Sequence, residues 1–169
     1  MFEAFVSLDG VFYGVMLAMD DGNLADPDSL PTFWVKGPDG LMPNSSGTAS
    51  YLREGVVTGA TNASPIVVTS AGHGLQNGQK ITISGVLGNT AANGTFKVAG
   101  VTSSTFELSG STGNGAYSSG GTWHLTGQFK YQISAAAADG FEVNTAYTVI
   151  GNFIYGSSVG AAESVFLVV

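Results

Sequence analysis

Cysteine is absent from the 169-residue sequence, and charged residues are few. Without cysteine the chain can form neither a disulfide nor a thiolate nucleophile, and no metal site can use cysteine sulfur. Lys and Arg number 5 against 12 Asp and Glu, so the net charge is −7. Nucleic-acid binding depends largely on basic side chains that neutralise phosphates. We therefore expect no nucleic-acid partner, and the lack of cysteine fits synthesis in a reducing cytoplasm.

Long apolar runs are also missing. The run Val11–Met19 is too short to cross a bilayer, and the first residues, MFEAFVSLDG, lack the basic start of a secretory signal. We therefore expect a soluble chain with no membrane partner. Charged residues make up 10% of the sequence, well below the usual quarter. Sparse charge beside apolar strands indicates a surface that is covered in an assembly, and the alternative is a monomer coated with Ser and Thr.

A helical period is absent too, and short alternating segments take its place. Ile81 and Ile83, for example, alternate with Thr82 and Ser84. A side-chain period of two predicts strands that bury one face and expose the other to water. Gly, Asn, Ser and Thr separate these segments, and turns such as Asn93-Gly94 favour short antiparallel connections. The sequence therefore predicts an all-β fold.

A series of short motifs runs through residues 59–123. In order they are SPIVVT, AGHGL, ITISGV, NGTFKV, TFEL and GGTW. This segment resembles a small β-domain that recurs in virion proteins of tailed bacteriophages and is named after a half-domain of ubiquitin-activating enzymes. The resemblance implies a small antiparallel β-barrel or sandwich over residues 58–124, and it names no chemistry.

The flanking residues have a different pattern. DPDSLPTFWV precedes the segment, and TGQFKYQI and GFEVNTAYTV follow it. Together they resemble an immunoglobulin-like sandwich that is frequent among phage structural proteins. The resemblance implies that residues 1–57 and 125–169 form one antiparallel sandwich, split in sequence by the inserted domain. Insertion is tolerated where the two ends of the guest lie close together at an exposed loop. The alternative is one continuous barrel.

Apolar residues occur on both faces of two predicted host strands, although a two-layer sandwich buries one face of each strand. A terminal apolar strand is an exposed-edge liability unless it is covered, and the chain ends in such a strand. We predict an assembly surface, used in a homo-oligomer or on a protein lattice. Its six candidate residues are Phe12, Met16, Ile150, Ile154, Phe166 and Val168.

Histidine occurs twice. For His73 we favour a turn residue whose ring hydrogen-bonds a neighbouring strand over a metal ligand or a general base, because no carboxylate is close in sequence. His124 follows Trp123 and should be an exposed strand residue on the opposite face.

Four carboxylates lie close together in sequence, at Asp20, Asp21, Asp26 and Asp28. Oxygen-rich loops can hold Ca²⁺, but the spacing is not that of an EF-hand, so a solvated turn is the preferred interpretation. The Gly/Ser-rich run GSTGNGAYSSGG lacks the lysine and the strand-to-helix setting of a phosphate cradle. No nucleophile motif is present, and we predict no enzymatic activity, no cofactor and no metal.

These observations predict a non-enzymatic virion structural protein of a tailed bacteriophage, made in the bacterial cytoplasm. The first interpretation is a capsid decoration or cement protein that docks on the major capsid protein through the host sandwich, with the insert projecting. Accessory roles at the neck, tail or baseplate are alternatives. A carbohydrate-binding module for host attachment is the alternative from another class, because sugars stack on exposed rings such as Trp34 and Tyr117.

Overall fold

The computed structural model describes residues 4–6, 11–20, 23–134 and 145–168. In these ranges the regular structure is β, apart from a 3-10 turn at Thr90–Ala92, so the fold is all-β as the alternating pattern predicted. Within the same ranges no helix has the length and apolar character needed to span a bilayer. In chain order the strands are β1 (Ala4–Val6), β2 (Val11–Leu17), β3 (Met19–Asp20), β4 (Asn23–Leu24), β5 (Thr32–Gly37), β6 (Gly40–Thr48), β7 (Ser50–Tyr51), β8 (Glu54–Val56), β9 (Gly59–Ala60), β10 (Ile66–Thr69), β11 (Lys80–Ser84), β12 (Gly94–Ala99), β13 (Thr105–Leu108), β14 (Thr122–Leu125), β15 (Gln128–Ser134), β16 (Thr145–Tyr155) and β17 (Ser158–Val168).

The chain divides into two compact units. The host unit comprises residues 1–52 and 127–169, and the insert comprises residues 53–126. Within the insert, the Leu125 N–H donates to the Arg53 carbonyl at 2.9 Å, and within the host unit the Leu52 N–H donates to the Gln128 carbonyl at 2.9 Å. The insert therefore begins and ends side by side, as insertion into a loop of a host domain requires.

Over its described residues the host unit contains two four-stranded antiparallel sheets and the short ribbon β3-β4. One sheet has the order β1-β2-β15-β7, and the other has the order β17-β16-β5-β6. Buried side chains from both sheets join one core, so the arrangement is consistent with a β-sandwich; immunoglobulin-like connectivity stays a prediction. The described core residues are Ala18, Phe33, Val35, Ala49, Phe129, Tyr131, Ile133, Tyr147, Val149 and Phe153.

The insert is a seven-stranded antiparallel sheet in the order β8-β14-β11-β12-β13-β10-β9. Its edge strands β8 and β9 are separated in the chain by Val57 and Thr58. The Val57 N–H donates to the Gly121 carbonyl and the Thr58 N–H donates to the Thr69 carbonyl, each at 2.9 Å. The sheet is therefore strongly curved, yet no described pair of strands closes it. Neither unit forms a closed barrel in the part of the chain that the structure describes.

In the insert, the alternation of apolar and polar residues in the sequence matches the alternation of buried and more exposed residues in the strands. Ile81 and Ile83 are buried, whereas Thr82 between them is half-buried and Ser84 is exposed. The Asn93-Gly94 pair differs from the two-residue turn that its sequence favours. It ends a longer connection in which the Asn93 side chain binds both backbone groups of Val86, accepting from the N–H at 2.8 Å and donating to the carbonyl at 2.9 Å.

Candidate functional site

Strand β16 has a core face and an outer face. Tyr147, Val149 and Phe153 are buried in the host core. The residues between them alternate in burial: Ile150 is half-buried, and Ile154 is 44% exposed. Because strand side chains point alternately to opposite faces, both isoleucines lie on the side away from the core.

Two further apolar residues lie directly opposite these isoleucines in the antiparallel ladder. Ile150 is paired with Trp34 of β5, and Ile154 is paired with Val159 of β17. Residues that are directly opposite in such a ladder have side chains on the same face of the sheet. Val159 is 68% exposed, and Trp34 is half-buried. We call Trp34, Ile150, Ile154 and Val159 the outer face.

The other four predicted assembly residues lie on β2 and β17. Phe12 and Met16 are in β2, which pairs with β15, and Phe166 and Val168 are in β17, which pairs with β16. Strand β17 is at the edge of its sheet. The side chains of all four residues lie outside the described part of the structure, so their role in assembly stays a prediction.

A pocket of about 320 Å³ lies beside strand β15 in the host unit. Strand β7 pairs with β15 at Phe129 and Lys130 and extends no further, so the edge of β15 beyond Lys130 is not covered by β7. We call this cavity the edge pocket. Its lining residues are Phe33, Thr48, Ser50, Lys130, Tyr131 and Gln132.

Tyr131 joins the edge pocket to the host core. Its side chain is 3% exposed, and its ring lies 5.3 Å from that of Phe33, measured between centroids. The hydroxyl is buried and has no hydrogen-bond partner among the described residues. Burial raises the pKa of Tyr131 above its ordinary value, because the phenolate would lose its hydration.

His73 is a buried residue of the insert, 4% exposed. Its Nδ1 accepts a hydrogen bond from the Leu75 N–H at 3.0 Å, and its ring packs edge to face with Phe106 at 5.2 Å. The bond is local to the turn, whereas the sequence-based expectation was a bond to a neighbouring strand. His124 is half-buried on β14, opposite Thr82, and is therefore less exposed than expected.

The acidic cluster supplies two carboxylates to turns of the host unit. Asp26 Oδ1 accepts from the Gly127 N–H at 2.8 Å, and Asp28 Oδ2 accepts from the Gly156 N–H at 2.5 Å. Both glycines have positive φ, +67° and +56°, a conformation that other residues rarely adopt. Asp21 and the side chain of Asp20 lie outside the described residues. Among those that are described, no group of three or more potential metal ligands is present.

Trp34 and Tyr117, the two rings considered for sugar binding, and the nearby sequence position Trp123 have different environments. Trp123 is 1% exposed, and its Nε1 donates to Ser70 Oγ at 2.9 Å. The Tyr117 hydroxyl lies 3.0 Å from the Val57 carbonyl oxygen, so this half-buried ring attaches the Gly/Ser-rich loop to the insert. Trp34 lies on the outer face. Trp34 belongs to the host unit, whereas Trp123 and Tyr117 belong to the insert.

Two buried polar residues of the insert had no signal in the sequence. Ser111 Oγ accepts from the Ile66 N–H at 2.9 Å and donates to the Leu108 carbonyl at 2.6 Å. Asn89 is fully buried; its Nδ2 donates to the Thr61 carbonyl at 2.8 Å. In the sequence both are ordinary turn residues, and burial alone distinguishes them.

Charge is distributed unevenly between the units. The host unit holds 10 of the 12 acidic residues and 2 of the 5 basic ones, whereas the insert holds the other 2 acidic and 3 basic residues. The host unit is therefore strongly acidic and the insert is close to neutral. A field of this sign repels polyanions and favours basic or neutral partners.

Residues 63–126 match the family model described as the ubiquitin-activating enzyme E1 FCCH domain. The matched range lies within the insert and includes no residue of the host unit. No curated protein matches the chain. The insert is therefore similar to a small β-domain of that family, in agreement with the resemblance of its sequence motifs.

Proposed function

We propose that this protein is a non-enzymatic structural protein of a tailed-bacteriophage virion. Within the virion we propose that it is a capsid decoration protein that docks on the major capsid protein through the host unit, leaving the insert exposed. The outer face carries this proposal: four apolar side chains lie on the side of a sheet that faces away from its own core.

Docking would contribute the most free energy at the outer-face residues that are exposed in the free protein. Full burial of a large aliphatic side chain contributes about 1.5–3 kcal/mol. Ile154 and Val159 are 44% and 68% exposed and are directly opposite each other, so one contact would cover both. Stable protein interfaces bury on the order of 1,200–2,000 Å² in total, so this pair would form the centre of a larger patch.

The division into units supports the choice of the host unit as the docking element. The insert has two strongly exposed aliphatic residues, Val56 and Leu87, at 63% and 56%. They lie on different segments, and Val56 is opposite Thr122 in the ladder. Leu87 is opposite Ser119. Polar residues oppose both. On the host outer face Ile154 is opposite Val159 and Ile150 is opposite Trp34, although Glu163 of β17 is opposite Ile150 on its other side.

A non-enzymatic role agrees with the chemistry of the described residues. His73 is buried against the ring of Phe106; its Nδ1 accepts from a backbone N–H, and its Nε2 has no hydrogen-bond partner among the described residues. Asp26 and Asp28 accept hydrogen bonds from backbone N–H groups of turns. Each of these side chains has at least one structural partner, and the sequence contains no cysteine that could act as a nucleophile.

The test is the position of this chain in intact particles of the phage that encodes it, together with docking variants. Density for the protein on the capsid surface is expected, with the host unit against the shell. Density at the neck, tail or baseplate would refute the decoration role, and absence of the protein from purified particles would refute the virion role.

The docking variants are Ile154→Asp and Val159→Asp, with Leu87→Asp as the matched control on the insert. The first two should block incorporation into particles, because a buried unpaired carboxylate is costly. The control should be incorporated normally. Normal incorporation of all three proteins would show that the outer face is not the docking surface.

A further inference from the structure

The edge pocket lies beside a part of β15 that has no paired strand on its β7 side among the described residues, which we call its free edge. Along an antiparallel strand, alternate residues direct their backbone groups to opposite neighbours. The Leu52 N–H bonds the Gln128 carbonyl, so Gln128, Lys130 and Gln132 direct their backbone groups to the β7 side. Strand β7 pairs with β15 no further than Lys130. The backbone N–H and carbonyl of Gln132 therefore have no strand partner on this side among the described residues, and they face the edge pocket.

Four polar side chains surround this free edge. Thr48, Ser50, Lys130 and Gln132 are all exposed, and Ser50 is directly opposite Lys130. None of the four makes a side-chain hydrogen bond or ion pair with another described residue. The hydroxyls and the amide can each donate and accept, whereas the ammonium donates. A ligand whose groups both donate and accept hydrogen bonds, as sugar hydroxyls do, can bind all four of these side chains.

Charge, polarity and strand length argue against an acidic ligand, an apolar ligand and an extended peptide, respectively. The host unit has 10 acidic residues and 2 basic ones, of which Lys130 is one. The unit as a whole therefore repels an acidic ligand. An apolar ligand would leave the polar side chains without partners. An extended peptide would find a short edge, because β15 continues only from Tyr131 to Ser134 beyond the paired residues.

The size of the edge pocket limits the ligand to one ring. A volume of about 320 Å³ is at the lower end for ligand sites in proteins. Phe33 and Tyr131 are among its lining residues and are 6% and 3% exposed, so they offer a small apolar area to the C–H face of a ring. A small ligand with few buried atoms binds weakly, and we expect a Kd on the order of 1–10 mM.

We propose that the edge pocket binds one neutral sugar ring, as found at the end of a cell-surface glycan. Thr48, Ser50, Lys130 and Gln132 bind the ring hydroxyls, and Phe33 and Tyr131 pack against its apolar face. This activity goes beyond assembly. Many copies on one particle would convert weak single sites into firm attachment, because linked sites bind with a high effective concentration.

The experiment is a titration of the purified full-length protein, labelled with ¹⁵N, with glucose, galactose and N-acetylglucosamine. Saturable shifts are expected for the backbone amides of the edge pocket with at least one of these sugars. Thr48→Val and Gln132→Met should each weaken binding by about fivefold or more, because each removes hydrogen bonds to the ring. Thr122→Val and Gln76→Met are matched controls at exposed positions of the insert and should leave the Kd unchanged.

The absence of saturable shifts with all three sugars would overturn the proposal. Shifts centred on other residues, equal weakening by the control variants, or binding confined to acidic sugars or inorganic phosphate would also overturn it. The result does not depend on where the protein lies in a virion.

Discussion

Replacing Asn89 by Asp tests whether the buried polar contacts of the insert have the geometry described. Asn89 is 0% exposed; its Nδ2 donates to the Thr61 carbonyl at 2.8 Å, and its Oδ1 accepts from the Asn114 N–H at 3.1 Å. Aspartate has the same shape and keeps the second bond. In place of the donor it has an oxygen that faces the Thr61 carbonyl oxygen.

The expected cost at neutral pH has two parts. Loss of the donor leaves a buried carbonyl unsatisfied, which costs about 1–3 kcal/mol, and the buried carboxylate loses its hydration. We expect Asn89→Asp to lower the free energy of unfolding by about 2–4 kcal/mol at pH 7. Burial should raise the folded-state pKa of the new carboxyl above its unfolded value. Stability is then retained in acid, where the protonated carboxyl donates to Thr61, and is lost as the pH rises through the folded-state pKa.

The assay is urea unfolding at about pH 4 and pH 7, on either side of the expected raised pKa, followed by fluorescence of Trp123 in a Trp34→Phe background. Trp123 is 1% exposed in the insert and reports on that unit. Asn77→Asp is the matched control, because Asn77 is exposed and uses only its Oδ1, as acceptor from the Val101 N–H at 3.2 Å. If Asn89→Asp is as stable as the control at pH 7, or has the same stability at both pH values, the assigned donor to Thr61 is wrong.

Three further substitutions have defined outcomes. Tyr131→Phe should raise the stability of the host unit by about 1 kcal/mol in urea unfolding, because it removes a buried hydroxyl that has no partner among the described residues. The wild-type protein should lose stability above about pH 10, because the pKa of Tyr131 is raised in the folded state and the stability that this gives is lost as the pH rises through the folded-state pKa. The phenylalanine variant should not show this loss. Ser111→Ala should destabilise the insert by about 1–3 kcal/mol in urea, because the buried Ile66 N–H loses its acceptor; a cost within error of zero would contradict this. Gly55→Ala should lower the Tm, because the new Cβ would lie 2.9 Å from three ring atoms of Trp123, and an unchanged Tm would contradict that close contact.

The alternation of apolar and polar residues predicted much of the fold. In β15, Phe129, Tyr131 and Ile133 are buried, whereas Lys130 and Gln132 between them are exposed. This could be predicted because the direction of successive strand side chains is a local property of the extended backbone. The motifs of the insert likewise indicated a small β-domain, which the family match over residues 63–126 supports.

The candidate sites could be predicted only in part. Ile150 and Ile154 were identified from the same alternation, since each lies between residues of the core face. Trp34 and Val159 could not be placed beside them, because which residue lies opposite Ile150 or Ile154 depends on strand register. Strand register is decided by the packing of whole sheets, and a shift of one residue would move every side chain to the other face.

By itself the sequence determined the strand character of the chain, the location of the small β-domain and the acidity of the host unit, because each depends on residue type or on near neighbours. Only the tertiary structure determined the edge pocket. Two of its lining residues, Thr48 and Gln132, lie far apart in sequence and come together where the β7–β15 pairing ends. It also decided the burial of Asn89 and Ser111. Such contacts depend on where distant segments meet, and the energy that selects that arrangement comes from burial of the whole core.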